Sequence, residues 1–126
     1  MKQMTALVKT APDRAEFAFV PVPQYGPRDV LVKVKAAALC GTDMHIFEWN
    51  PWAQNAGIKL PVIMGHEFCG DVVAVGSDVN GVKVGDKVAG ETHVPCGECY
   101  QCMNGEQHIC ARLKLFGIHM SGCFAE

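Results

Sequence analysis

A mainly β domain with a few short helices and a cysteine-rich loop lobe is what these 126 residues predict. Three observations carry that expectation. Thirteen glycines and seven prolines cut most of the chain into short segments rich in Val, Ala and Ile, the punctuation of strands and turns. Several segments alternate in the manner of a half-buried sheet, as in Val30-Leu31-Val32-Lys33-Val34-Lys35, where side chains point to opposite faces with a period of two. Helical periodicity is sparse.

Taken in order, the strands are expected at Met4 to Lys9, Phe17 to Val22, Val30 to Ala38, Phe68 to Val75 and Lys87 to Gly90. The best helix candidate follows Gly41, where Thr42 or Asp43 is placed to cap a short segment carrying His45, Ile46 and Phe47 before Pro51 blocks it. Strands without regularly interposed helices do not build a doubly wound parallel sheet, and Gly-x-Gly-x-x-Gly occurs nowhere in the chain. No dinucleotide-binding fold is therefore expected within it. With no internal repeat, low-complexity tract or linker, residues 1–126 read as one domain. The last residues, Gly122-Cys123-Phe124-Ala125, read as a strand just beginning, so further polypeptide is expected beyond Glu126.

Composition removes several function classes. A hydrophobic content of 49% is enough for one core. Eleven basic against thirteen acidic residues give a formal charge of -2 without a basic run, so the electrostatic footprint of a nucleic-acid binder is missing. The opening apolar stretch is too short for a secretory segment, and no later one approaches the roughly 18 residues needed to cross a bilayer. A cytoplasmic protein without nucleic-acid or membrane partners is the expectation. Seven cysteines, an odd number in tight spacing, favour reduced thiols on a metal over a disulfide framework.

Four of those thiols, Cys96, Cys99, Cys102 and Cys110, are separated by two, two and seven residues. Thiolates so placed can grip one ion from a tight turn, with the fourth closing a tetrahedral shell when the chain loops back. A four-sulfur set suits zinc or an iron-sulfur cluster. Many iron-sulfur sites continue through three residues to Cys-Pro, whereas Cys110 is followed by Ala111. A second constellation lies at two other turns, Cys40-Gly41-Thr42-Asp43-Met44-His45 and Gly65-His66-Glu67. One Cys, one His and a carboxylate can make an open zinc site, with a position left for water or substrate. Taken singly, Cys40 reads as a small buried residue and His66 as a core histidine. Cys69 and Cys123 belong to neither set and are expected to be buried thiols, the methionines core filler, and Phe47, Trp49 and Trp52 packing residues.

The run Gly65-His66-Glu67, two residues, Gly70, five residues, Gly76, two residues, Val79 resembles the zinc signature of the medium-chain alcohol dehydrogenases at every fixed position. The cysteine lobe and Val84-Gly85-Asp86-Lys87-Val88 resemble the corresponding parts of that superfamily, and the likeness covers essentially the whole chain. Within it, Cys40 to Gln54, with its Trp49-Asn50-Pro51-Trp52-Ala53-Gln54, and Glu91-Thr92-His93 look most like the branch that oxidises L-threonine; polyol dehydrogenases share the zinc signature and are the alternative. The resemblance implies a GroES-like, partly open β barrel with a structural-zinc lobe at about residues 91–112. It implies a catalytic zinc on Cys40 and His66, with Glu67 as a further ligand or an adjacent carboxylate that exchanges with it. Thr42 and His45 would form a proton relay, Asp43 would orient the His66 imidazole, and His93 would bear on substrate selection. Cys96, Cys99, Cys102 and Cys110 would hold the structural zinc. NAD bound by a further domain, two zinc ions per chain, L-threonine as substrate and a homotetramer complete the expectation. A scaffold or interaction module with the same barrel is the reading of another class, since fold alone never establishes function.

Overall fold

The computed structural model describes residues 2–126. Strand β1 (Gln3–Ala11) turns at Pro12-Asp13 into β2 (Arg14–Pro21), and the two pair antiparallel from Gln3 opposite Pro21 to Ala11 opposite Arg14. The other edge of β1 takes β4 (Val62–Ile63), so the strand order is β2-β1-β4. The chain's last residues join the same edge: Leu7 N–H donates to the Phe124 carbonyl at 2.8 Å, and Glu126 N–H to the Thr5 carbonyl at 3.2 Å. The segment read as a beginning strand thus runs beside β1.

A second antiparallel sheet has the order β3-β5-β6, from Val30–Ala38, Glu67–Val75 and Lys87–Gly90. A third is the small pair β7 (His93–Val94) and β8 (Lys114–Leu115). Among the described residues the sheets do not close into a barrel, which is the partly open arrangement expected. All five expected strands form. The three not expected are two residues long, too short to display a period.

Helix α1 spans Gly41–Glu48 and is capped by Cys40, not by Thr42 or Asp43. Asp43 acts from inside the first turn: its Oδ2 accepts the Cys40 N–H at 2.9 Å while its own N–H donates to the Cys40 carbonyl at 3.0 Å. A carboxylate reaching back this way satisfies a donor at the helix start without a polar side chain at the cap. Pro51 does not simply block a helix either; it opens α2 (Pro51–Asn55) at a first-turn position where no N–H is needed. Between the helices Trp49 adopts the left-handed conformation at φ 54°, an outlier for so bulky a side chain. The lobe contributes α3 (Tyr100–Met103) and a 3-10 turn at Gln107–Ile109.

The core gathers Ile46 of α1, Met64 beyond β4 and Ile118, with Leu7, Ile58 and Phe124 packed against them. α1 is also held from β1. Lys9 is 1% exposed, and its ammonium donates to the Phe47 carbonyl at 2.6 Å with the Phe47 ring centroid 5.3 Å away. The charge faces the negative end of the helix dipole, while burial pushes the Lys9 pKa down and Asp13 partly opposes that. The methionines divide instead of all filling the core: Met4 and Met64 are buried, Met44 and Met103 exposed. Cys123 is buried as expected, whereas Cys69 sits exposed on β5. Phe47 and Trp52 are also largely exposed, so neither is buried packing.

Candidate metal centres

The register between β3 and β5 assembles the first site. Ala38 lies opposite Glu67 at the end of the ladder, so the chain leaving β3 presents Cys40 across from the residues that lead into β5. The thiol of Cys40, the His66 imidazole and the Glu67 carboxylate bring their ligand atoms within 4.8 Å of one another. His66 is buried, Cys40 half-buried and Glu67 exposed, which leaves one side of the cluster toward solvent.

Glycine makes the His66 turn possible. Gly65 has φ 92°, and a β-carbon there would run into the ring of Phe124; Gly122 lies close against the Gly65 and Met64 carbonyls. Two further bonds fix the turn. Thr92 Oγ1 donates to the His66 carbonyl at 2.8 Å, and Cys123 N–H to the Gly65 carbonyl at 3.1 Å. The role of Thr92 depends on a contact across 26 positions, for which the sequence carries no local signal.

Asp43 and His66 provide the sharper chemical clue. Both are buried, Asp43 Oδ1 lies 3.5 Å from His66 Nδ1, and neither atom has a hydrogen-bond partner among the described residues. Unpaired buried polar atoms are costly. A slight closure that lets Nδ1–H donate to Oδ1 satisfies both and leaves Nε2 free as a metal ligand, the usual arrangement behind a ligating histidine. The sulfur, nitrogen and oxygen donors are those zinc takes, and three protein ligands leave a fourth position open. The residues present therefore fit zinc.

Thr42 and His45 stand three residues apart on α1 and share a face, but no hydrogen bond joins their side chains among the described residues. His45 is exposed, with Nδ1 2.6 Å from the Asn50 amide nitrogen and its ring 5.8 Å from that of Trp52. His93 is on β7, outside the ligand cluster; its Nδ1 lies 2.9 Å from Glu91 Oε1.

The second site is the lobe. Sulfur separations are 3.9 Å for Cys96–Cys102, 3.5 Å for Cys99–Cys102 and 3.8 Å for Cys99–Cys110. A tetrahedron with zinc-sulfur bonds of about 2.3 Å has edges of about 3.8 Å, so the thiols already outline a closed zinc shell. Backbone N–H groups of Glu98 and Cys99 point at Cys96 Sγ at 3.5 and 3.3 Å, and they bring its pKa down from 9.0 to about 6. Backbone donors, with Cys102 first, also lower Cys99, while burial pushes Cys102 up to about 12. Four close thiols share their protons as a set. A dication lets all four ionise together.

Residues 26–126 match the alcohol dehydrogenase GroES-like domain, and the chain belongs to that family. Among named proteins, it is 52% identical over 126 residues to the L-threonine 3-dehydrogenase of Pyrococcus horikoshii and 46% identical over 124 residues to that of Bacillus licheniformis. These alignments take in 99% and 98% of the chain, which spans about a third of the length of each relative, 36% in both cases. A solved structure, a provisionally assigned zinc-binding dehydrogenase from Sinorhizobium meliloti bound to NADP, matches all of the chain and 35% of its own, with a TM-score of 0.85 at 37% identity.

Proposed function

We propose that this chain is the catalytic domain of a zinc-dependent, NAD-linked dehydrogenase that oxidises L-threonine to L-2-amino-3-oxobutanoate. The observation that carries the reading is the convergence of Cys40, His66 and Glu67, with an open side, in a chain 52% identical along its length to a protein of that name. The order of roles follows from chemistry. Oxidation of a secondary alcohol removes a hydroxyl proton and a hydride, and neither leaves readily near pH 7.

Cys40, His66 and Glu67 would hold a zinc ion, which would supply Lewis acidity toward the substrate hydroxyl. Asp43 holds the His66 ring with Nε2 turned outward. Thr42 accepts the hydroxyl proton at Oγ1 and passes its own on, and His45, exposed on the same face of α1, delivers a proton to solvent. His93 lies at the edge of the lobe as a candidate contact for the amino-acid part of the substrate. Cys96, Cys99, Cys102 and Cys110 would hold a second zinc, whose contribution would be to order the lobe and not to take part in the chemistry. NAD would be bound by polypeptide beyond these residues, in a cytoplasmic homotetramer. Among the described residues no helix is long and apolar enough to cross a membrane.

The test is an assay of the complete polypeptide with NAD and either L-threonine or sorbitol. Threonine-dependent reduction of NAD is expected, lost in Cys40→Ser while the lobe zinc stays bound. A preference for sorbitol would overturn the substrate, and wild-type turnover in the variant would overturn the site.

A further inference from the structure

The junction between α1 and α2 contains one residue bonded in both directions. Asn50 Oδ1 accepts the Ala53 N–H at 3.2 Å and so caps α2. The same side chain lies 2.6 Å from His45 Nδ1 through its other terminal atom. Oxygen and nitrogen of an amide are told apart by their partners, and here the partner is a backbone N–H, which only the oxygen can accept. The atom facing His45 is therefore the NH2 group, a donor. A donor against Nδ1 requires a lone pair there, and in a neutral imidazole the proton must then sit on Nε2.

From this geometry we infer that Asn50 is a positioning residue that sets the tautomer of His45, holding the neutral ring with Nε2 protonated and Nδ1 closed. The local backbone is shaped for that contact. Trp49 is held in the left-handed region at φ 54°, and strain of this kind persists where the surroundings enforce it. It turns the chain so that Asn50 N–H donates to the His45 carbonyl at 3.3 Å, while Gln54 Nε2 donates to the Trp49 carbonyl at 2.9 Å. Trp52 closes one side of the imidazole. One backbone bond, one side-chain bond to the backbone and one neighbouring ring thus surround the amide at Nδ1.

The functional weight of the inference rests on the relay role proposed for His45. Nε2 is the nitrogen that offers a proton outward, and a proton can enter at Nδ1 only when the Asn50 amide swings away. Asn50 then decides at which ring atom the relay exchanges its proton, without touching substrate or metal.

Nitrogen-15 NMR of the zinc-loaded 126-residue chain reads the tautomer directly, with the His45 signals assigned by their loss in His45→Gln. At a pH where the ring is neutral, the wild type should show a protonated Nε2 and a bare Nδ1. Asn50→Asp is the decisive variant, because a carboxylate still caps α2 yet presents an acceptor to the ring, so the proton should appear on Nδ1. Asn50→Ala should give a mixture. A wild-type ring protonated at Nδ1, or an unchanged tautomer in Asn50→Asp with α2 intact, would overturn the inference. The outcome is separable from the relay: full turnover in His45→Gln of the complete polypeptide would remove the relay and leave the tautomer assignment standing.

Discussion

Asp43 carries two loads with its two oxygens. Oδ2 accepts the N–H of Cys40, and Oδ1 faces the imidazole of His66 at 3.5 Å, so in the metal site proposed above one carboxylate would position the residues that supply both the sulfur and the nitrogen ligand. Its replacement by alanine should weaken zinc binding at Cys40, His66 and Glu67 by 10–100-fold, the usual effect of removing such a partner. Loss of the bond at the helix start should cost about 1 kcal/mol in addition. Competition with a chelator, followed separately for each site by cobalt substitution, measures the first effect; unchanged affinity would show that Asp43 serves the helix alone. The lobe cysteines stand out as candidates because their spacing is tight and local, and Cys40, His66, Glu67 and Asp43 stand out as candidates through the likeness of their surrounding motifs to the family. Asn50 and Thr92 do not, since their work depends on which atoms they meet after folding.

Two elements bear predictions of their own. α1 is anchored at its far end by Lys9, and Lys9→Met would leave the Phe47 carbonyl without its donor while relieving the burial of an ammonium. A carbonyl left unpaired costs about 1–3 kcal/mol, and we expect it to dominate, giving a loss of about 1–2 kcal/mol in urea unfolding. A variant as stable as the wild type would show that burial of the charge is the larger effect. The lobe responds to pH through its thiols. Cys96 has its folded pKa depressed from 9.0 to about 6, so without metal its contribution to stability is full above about pH 9 and lost as pH falls through about 6. Cys102 is raised to about 12 and must give up its proton to bind metal at neutrality. Zinc loading at pH 7 should therefore release fewer than four protons, and the dependence of affinity on pH should steepen below about pH 6, where Cys96 is protonated too. Calorimetry in buffers of different ionisation enthalpy counts those protons; four at pH 7 would contradict the depressed thiol. The helix start illustrates the reach of sequence rules: a hydroxyl or carboxylate at the cap is the familiar signal, and here the carboxylate works three residues inside.

For the whole molecule, the β character and the places of the five long strands follow from patterns written along the chain, as does the clustering of the four lobe cysteines. How the sheets meet, and which turns the lobe touches, follow from tertiary contacts that no local period encodes. The 126-residue chain should bind two zinc ions and neither bind NAD nor oxidise threonine. Elemental analysis and a titration with NAD check this; saturable NAD binding would refute the division of labour proposed above.

The lobe leaves the body of the protein near Thr92 and returns near Phe116, and the two points are joined by a bond from Phe116 N–H to the Thr92 carbonyl at 3.3 Å. Both feet stand on the turn that carries His66: Thr92 grips its carbonyl, and Gly117 lies against the backbone of Gly65. A metal bound in the lobe, as proposed above, would therefore order a loop whose ends rest on the support of the other candidate site. Thermodynamic reciprocity makes the traffic two-way. Whatever binding free energy an ion in the lobe would add at Cys40, His66 and Glu67, occupancy there would return to the lobe in equal measure, so on the proposed reading a lobe outside the chemistry would still have a voice in how tightly the chemical site holds its ion.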